Sequence, residues 1–409
     1  MATIDARTIS APAATLPSPV NSHTSVTLSV LVALTVGLAP IDGYLHNVNG
    51  ALAKLAPTLL VLAWTIRHLR LRTLPRMHAI SWLCLVLLGI VAASCAVNTN
   101  NPFTIEYFIR WLPFLVLCIV LIDCLSTVVR PQLAILAMAS GAVIAGSGAL
   151  VSFLLLGAQR ASGPMEDPND LAYVLVAALP LLLVGVTARR SRWWRVPAVA
   201  GAAVALAGTT ATLSRGGAVA LVALVVWAGA RRLVSLRSVM VALMIFVGAA
   251  GAGWVVFDQH VQTALSQKLF IADTNVATRG LRWAAAAHEM VGSPVLGVGP
   301  GGARANYAAV SHNAELNTQN AVTHNMYLEV GAELGVTGLA LLLSIIGIAF
   351  VATTRAGSAD NRIALAVQGS LVAVVAASTF LSEEYYMPLW AGIATAAAID
   401  LRNRRQVRR

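Results

Sequence analysis

Charge is the scarcest property of this sequence. Only 11% of its 409 residues are Asp, Glu, Lys or Arg, while 58% are hydrophobic and the mean hydropathy is +0.76. A chain so poor in charge cannot clothe a water-facing surface, which excludes an ordinary soluble enzyme. Lysine is nearly missing, with Lys54 and Lys268 the two among 28 cationic residues. Cysteine is sparse as well: Cys84, Cys95, Cys118 and Cys124 lie in apolar stretches without metal-ligand spacing, so they read as small hydrophobes rather than as a disulfide framework or zinc site. No internal repeat and no matching pair of halves is visible. The net charge of +11 lacks a basic face interleaved with aromatics, so it does not describe a nucleic-acid binder.

What the sequence does have is apolar blocks of the length that crosses a hydrocarbon core, the pattern of an all-α polytopic membrane protein. Twelve spans are expected, near 24–40, 50–66, 78–97, 107–128, 131–157, 171–188, 196–213, 216–230, 238–257, 334–354, 363–381 and 386–401. Residues 1–23 read as a disordered cytoplasmic tail rather than a cleaved signal peptide, 258–333 as one long outward loop between spans 9 and 10, and 402–409 as a basic cytoplasmic tail.

The arginines set the orientation. Tracts such as Arg67/Arg70/Arg72/Arg76, Arg231/Arg232/Arg237 and Arg402/Arg404/Arg405 follow even-numbered spans, so a cytoplasmic N-terminus and C-terminus place 20 cations and four acids inside. The outward cations are then a short set: Lys54, Arg110, Arg160, Arg215, Lys268, Arg279, Arg282 and Arg304. Each runs against the positive-inside bias and needs an acidic partner, such as Glu166, Asp167, Asp170, Glu383 or Glu384, or an anionic ligand such as a lipid phosphate.

Arg215 lies in Leu213-Ser214-Arg215-Gly216-Gly217, a near-loopless join of spans 7 and 8, where the glycines are expected to permit a tight reversal. It either binds a ligand or snorkels to headgroups. Arg279, Arg282 and Trp283 share one face of an expected helix running to about Val291, where two guanidinium groups can bridge a pyrophosphate and the indole can stack on a sugar. The alternative is a membrane-surface amphipathic helix. His324 precedes a sustained helical pattern, and if Thr323 caps that helix the imidazole sits in its first turn. There the dipole favours the neutral form that a general base requires. A lone histidine also fits a purely structural place. The run Gly297-Val298-Gly299-Pro300-Gly301-Gly302 has dinucleotide-motif spacing without a βαβ unit and reads as a turn. His288-Glu289 lacks the second zinc histidine, since Gly292 stands there.

Five runs, in order, resemble the bacterial O-antigen ligase and O-antigen polymerase superfamily of membrane glycosyltransferases. They are Arg160 to Ala172 (R-A-S-G-P-M-E-D-P-N-D-L-A); Ser214-Arg215-Gly216-Gly217; Arg279 with Trp283; Pro294 to Gly299 (P-V-L-G-V-G); and His324-Asn325 followed by Glu333 to Gly338 (E-L-G-V-T-G). The first 150 residues resemble the family only in being apolar. The resemblance implies a GT-C type fold in the bacterial inner membrane and a periplasmic active site needing no metal, nucleotide sugar or other cofactor. It implies a glycan donor on undecaprenyl pyrophosphate, a lipid A-core acceptor and surrounding membrane lipids as partners. Carried over by position, Arg215 and Arg279 hold the pyrophosphate and His324 acts on the acceptor hydroxyl, with Arg160, Arg282, Trp283 and Asn325 as substrate-binding support. The first reading is an O-antigen ligase, inverting at the anomeric carbon. The alternatives are an O-antigen or exopolysaccharide polymerase with the same donor, a protein O-glycosylating ligase, and, from another class, a secondary transporter. A transporter would carry ionisable groups near the middle of its spans and show repeated halves, whereas here Asp123 is nearly the only acid within an apolar block.

Overall fold

The structure, a computed structural model, describes residues 22–165, 167–187, 192–233, 235, 237, 244, 277–315, 321–355, 361–382 and 384–407. Regular structure among them is entirely helical. The chain begins with α1 (Ser22–Leu38), a 3-10 turn (Ala39–Ile41) and α2 (Asp42–Val48). Then follow α3 (Gly50–Leu71), α4 (Ala79–Val97), α5 (Thr104–Thr127), α6 (Pro131–Leu154), α7 (Pro168–Thr187), α8 (Arg192–Ala211) and α9 (Arg215–Ala230). The tail over 1–21, the expected ninth span over 238–257, and 258–276 of the outward loop lie outside the described residues, save for single positions. The chain resumes with α10 over 277–292, α11 (Gly302–Val310), α12 (Met326–Thr354), α13 (Asn361–Ala377) and α14 (Met387–Val407).

Six stretches are long and apolar enough to cross a membrane: Thr24–Val48, Gly50–Leu71, Ala79–Val97, Thr104–Thr127, Pro131–Leu154 and Met326–Thr354. Four shorter apolar helices, Pro168–Leu183, Arg195–Ala211, Arg215–Ala230 and Asn361–Ala377, lie where further spans are expected, while the place of the expected twelfth span is taken by α14, which is in neither group. The protein is therefore a polytopic helical membrane protein. Its outward-facing Leu and Val side chains on α3, α4 and α9, among them Leu62, Val86 and Val226, are exposed, as a lipid-facing surface requires.

In lipid, helices associate by close packing rather than by apolar burial from water. Small residues make that packing possible here. A Cβ on Gly141 of α6 would fall 2.0 Å from the carbonyl oxygen of Gly37 in α1, so only glycine lets these two helices touch. At the centre, α7 is buried on every side from Leu171 to Leu182 and is packed by α6, α8, α9 and α13. Edge-on aromatic contacts link α5 to α14, with Trp111 meeting Tyr385 at 5.2 Å and Trp390 at 6.4 Å between ring centroids.

Polar contacts mark two ends of the bundle. At one, Asp123 accepts from Trp64 Nε1 (2.9 Å), His68 Nε2 (2.8 Å) and the Arg76 backbone N–H (2.8 Å). Arg402 there donates to the carbonyls of Leu125 (2.6 Å) and Val129 (2.8 Å), satisfying the orphan acceptors at the end of α5. The other end holds the turns 97–104, 154–168, 211–215, 293–302 and 378–386. There Ser94 donates to the Leu296 carbonyl (2.6 Å), and the Met326 N–H donates to the carbonyls of Leu381 (2.8 Å) and Ser378 (3.0 Å).

Candidate functional site

Every cation expected to act as a site residue gathers at this second end. The chain reverses between α8 and α9 at Leu213, which takes the left-handed conformation (φ +52°). The reversal was expected of the glycines, but these lie within the first turn of α9. Gly217 is needed there for closeness, since a Cβ would meet that of Ala172 at 2.8 Å. Ser214 caps α9 by accepting from the Gly217 N–H (3.2 Å), which leaves Arg215 as the first helical residue with its side chain exposed. Arg160 buttresses this turn. Its Nε donates to the Thr212 carbonyl (2.8 Å) and its NH2 to Asn169 Oδ1 (3.1 Å), while Asn169 donates to Asp167 Oδ1 (2.8 Å).

Helix α10 forms as its sequence pattern indicates, and it separates the two arginines of one face. Arg282 turns to Glu315 in a bidentate pair, Nε to Oε2 at 2.9 Å and NH2 to Oε1 at 2.8 Å, and Tyr307 donates its hydroxyl to the same carboxylate. Burial and the field of Asp167 dominate the surroundings of Arg279, which also lies within electrostatic reach of Arg215, Arg282 and Arg160. Neither Arg215 nor Arg279 forms a hydrogen bond or ion pair among the described residues. Trp283 donates from Nε1 to the Thr323 carbonyl (3.1 Å) and packs its ring against Phe380, 6.1 Å between centroids.

The helix cap differs from expectation. Asn325, not Thr323, caps α12, its side-chain oxygen accepting from the N–H groups of Tyr327 and Leu328 at 3.1 Å each. His324 therefore stands just outside the helix, in the left-handed conformation (φ +52°). Its neutrality has a different cause from the dipole of a first turn. Burial first, then the fields of Arg279, Arg282 and Arg304, push the imidazole down to about 4, against the opposing field of Asp167. At neutral pH the ring is an unprotonated acceptor, which is what a general base must be.

The arrangement thus combines two guanidinium groups without a hydrogen bond or ion pair among the described residues, a third and fourth held by the protein, and one neutral imidazole. It can bind a multiply charged anion beside a proton acceptor. Sequence reasoning missed Glu315 and Tyr307, which share no motif with Arg282 and lie far from it in sequence. It named Asp167 only as one of several acids that could partner the outward cations, without linking it to Arg279 or His324. The turn over 294–302 is confirmed as a turn, with Gly297, Gly299 and Gly301 at positive φ. Burial pushes Glu289, beside the absent zinc motif, up to about 7.

The fold is that of a polytopic helical membrane protein, with arginines and a histidine gathered at one end of the bundle. Residues 200–343 match the family model described as O-antigen ligase, so this part of the chain is similar to that family. That stretch contains Arg215, Arg279, Arg282, Trp283, His324 and Asn325, whereas Arg160 precedes it. No curated protein is significantly similar to the chain.

Proposed function

We propose that this protein is an O-antigen ligase of the GT-C type, with twelve spans and both termini on the cytoplasmic side of the bacterial inner membrane. In this reading the loop over 258–333 is periplasmic, and the enzyme transfers a glycan from undecaprenyl pyrophosphate to lipid A-core oligosaccharide. The observation that carries the reading is the closeness of Arg215 to Arg279, neither in a hydrogen bond or ion pair among the described residues, beside the uncharged His324.

The chemistry follows from that grouping. The bond between the anomeric carbon and the pyrophosphate oxygen breaks, and charge grows on the departing carrier. Arg215 and Arg279 stabilise that charge from fixed positions, better than mobile water can. A hydroxyl of the acceptor forms the new bond to the anomeric carbon, and its proton passes to His324 Nδ1 or Nε2. Attack opposite the leaving group inverts the anomeric centre. Arg160 holds the Arg215 turn in place, and Trp283 carries the backbone before His324.

The test is the lipopolysaccharide of a strain lacking the gene, complemented with wild-type and Arg215→Ala forms. Loss of all O-antigen from lipid A-core, restored only by the wild type, supports the ligase. Retention of one repeat unit indicates a polymerase acting on the same donor, and an unchanged ladder refutes both.

A further inference from the structure

The assignment of Arg282 as a second pyrophosphate contact leaves its geometry unexplained, because its fork is already occupied. Both arms of the guanidinium that can form a bidentate pair are spent on Glu315. The remaining nitrogen points toward the Val322 carbonyl, at 3.4 Å. Its neighbour Trp283 donates to the next carbonyl, that of Thr323. The two carbonyls immediately before His324 are therefore both held by α10. On the other side of the histidine, Asn325 is fixed as the cap and the Met326 N–H is bound to Ser378 and Leu381. His324 is the one residue between these anchors, and it holds a positive φ that non-glycine residues seldom adopt.

We propose that Arg282 and Glu315 form a positioning pair for the proposed base, holding His324 in its left-handed conformation and tuning the charge around it, instead of touching the donor. The proposal rests on the functional reading above. Tyr307, on α11, completes the pair by donating to Glu315, so the carboxylate is held from two helices and carries Arg282 with it.

The same pair shapes the electrostatics of the histidine. The charged groups that face His324 are Arg279 and Arg282 from α10, Arg304 from α11, Asp167 before α7, and Glu315. Three cations are set against two carboxylates, and Glu315 offsets Arg282, with which it pairs. Without that carboxylate the ring would lie in a stronger positive field and be a weaker base. Without Arg282 it would sit beside an unpaired carboxylate and take up a proton at higher pH.

The full-length protein in detergent supplies the test, with two measurements: binding of undecaprenyl pyrophosphate, and single-turnover transfer across a range of pH. For Arg282→Gln the carrier should bind as in wild type. Transfer should fall by about 10- to 100-fold, the scale of a misplaced catalytic group, and its acid limb should move to higher pH. The charge exchange Arg282→Glu with Glu315→Arg should recover a large part of the rate lost in either single change. A parallel loss of carrier affinity and rate in Arg282→Gln, or an exchange no better than its single changes, overturns the proposal in favour of direct donor contact. If Arg282→Gln does not fold, Arg282→Lys keeps the charge and one arm, and should show the same split between normal binding and slowed transfer. Wild-type protein that transfers no glycan defeats the functional reading itself. Wild-type turnover with donor affinity lost in the Arg282 variants defeats the positioning role alone.

Discussion

The backbone N–H of Val336 donates to the carbonyl oxygen of Pro294 at 2.8 Å, and this bond locks together two runs that share no chemistry in the sequence. Thr337 adds its hydroxyl to the Val295 carbonyl, while the N–H groups of Val298 and Gly299 donate to Ala332 (2.9 Å) and Glu333 (3.1 Å). The loop after α10 thus sits in a break of α12, made where Gly335 leaves helical geometry at φ +71° and ψ −177°. This interlock ties the segment carrying Arg279 to the helix that follows His324.

Gly335→Ala is expected to destabilise the fold by about 1–3 kcal/mol. A Cβ there would lie 2.5 Å from the Pro294 carbonyl oxygen, on a backbone that L side chains seldom adopt. The thermal unfolding midpoint of the detergent-solubilised variant checks it. A midpoint equal to wild type would show that the loop and α12 can part without cost.

Arg215→Ala and Arg279→Ala should each abolish transfer while leaving expression and unfolding temperature near wild type, because neither side chain forms a hydrogen bond or ion pair among the described residues. Lysine should restore little, since a point charge does not reproduce the planar two-donor fork. Full activity in either alanine variant, at normal expression, would remove that residue from the site.

His324→Ala should bind the carrier normally yet transfer more slowly by a factor on the order of 10² to 10⁴. The sign of the pH effect follows from burial. A histidine depressed to about 4 stays neutral as pH falls through 6.5, so the rate should hold until the solution approaches pH 4. The unfolded chain takes up that proton nearer 6.5, so the contribution of His324 to stability declines as pH drops from about 6.5 toward 4. A rate that halves near 6.5 would mean that the imidazole is not held among these arginines.

Chelation with EDTA should leave transfer by the purified protein intact, because the guanidinium groups of Arg215 and Arg279 supply the positive charge at the leaving group. A strict requirement for added divalent ions would contradict that account.

Apolar length exposed the helices in the sequence, because a hydrocarbon core demands it of any span, and scarcity of charge made each outward arginine conspicuous. The local geometry was harder to read. Thr323 and Asn325 are both competent caps in T-H-N, and the choice falls to Asn325 because Met326 is fixed to Ser378 and Leu381 in the turn after α13. Arg279 and Arg282 share a helix face, and their fates diverge only through Glu315, which no periodicity connects to them. The reversal between α8 and α9 was legible, but not its pivot at Leu213, since leucine gives no warning of a positive φ.

The Asp123 clamp has a consequence for how the chain enters the membrane. An aspartate within an apolar helix resists insertion, at a cost of about 2.5–3.5 kcal/mol at mid-span and less toward the end of the helix, where Asp123 lies. Trp64 and His68, which receive it, lie on α3 and leave the ribosome well before α5 does. Synthesis order therefore delivers the acceptor surface first, and α5 enters a membrane where its partner already stands. A glycosylation reporter fused after Thr127 should show less complete insertion of α5 when Trp64 and His68 are both changed to Leu. Equal insertion in both chains would mean that α5 enters unaided.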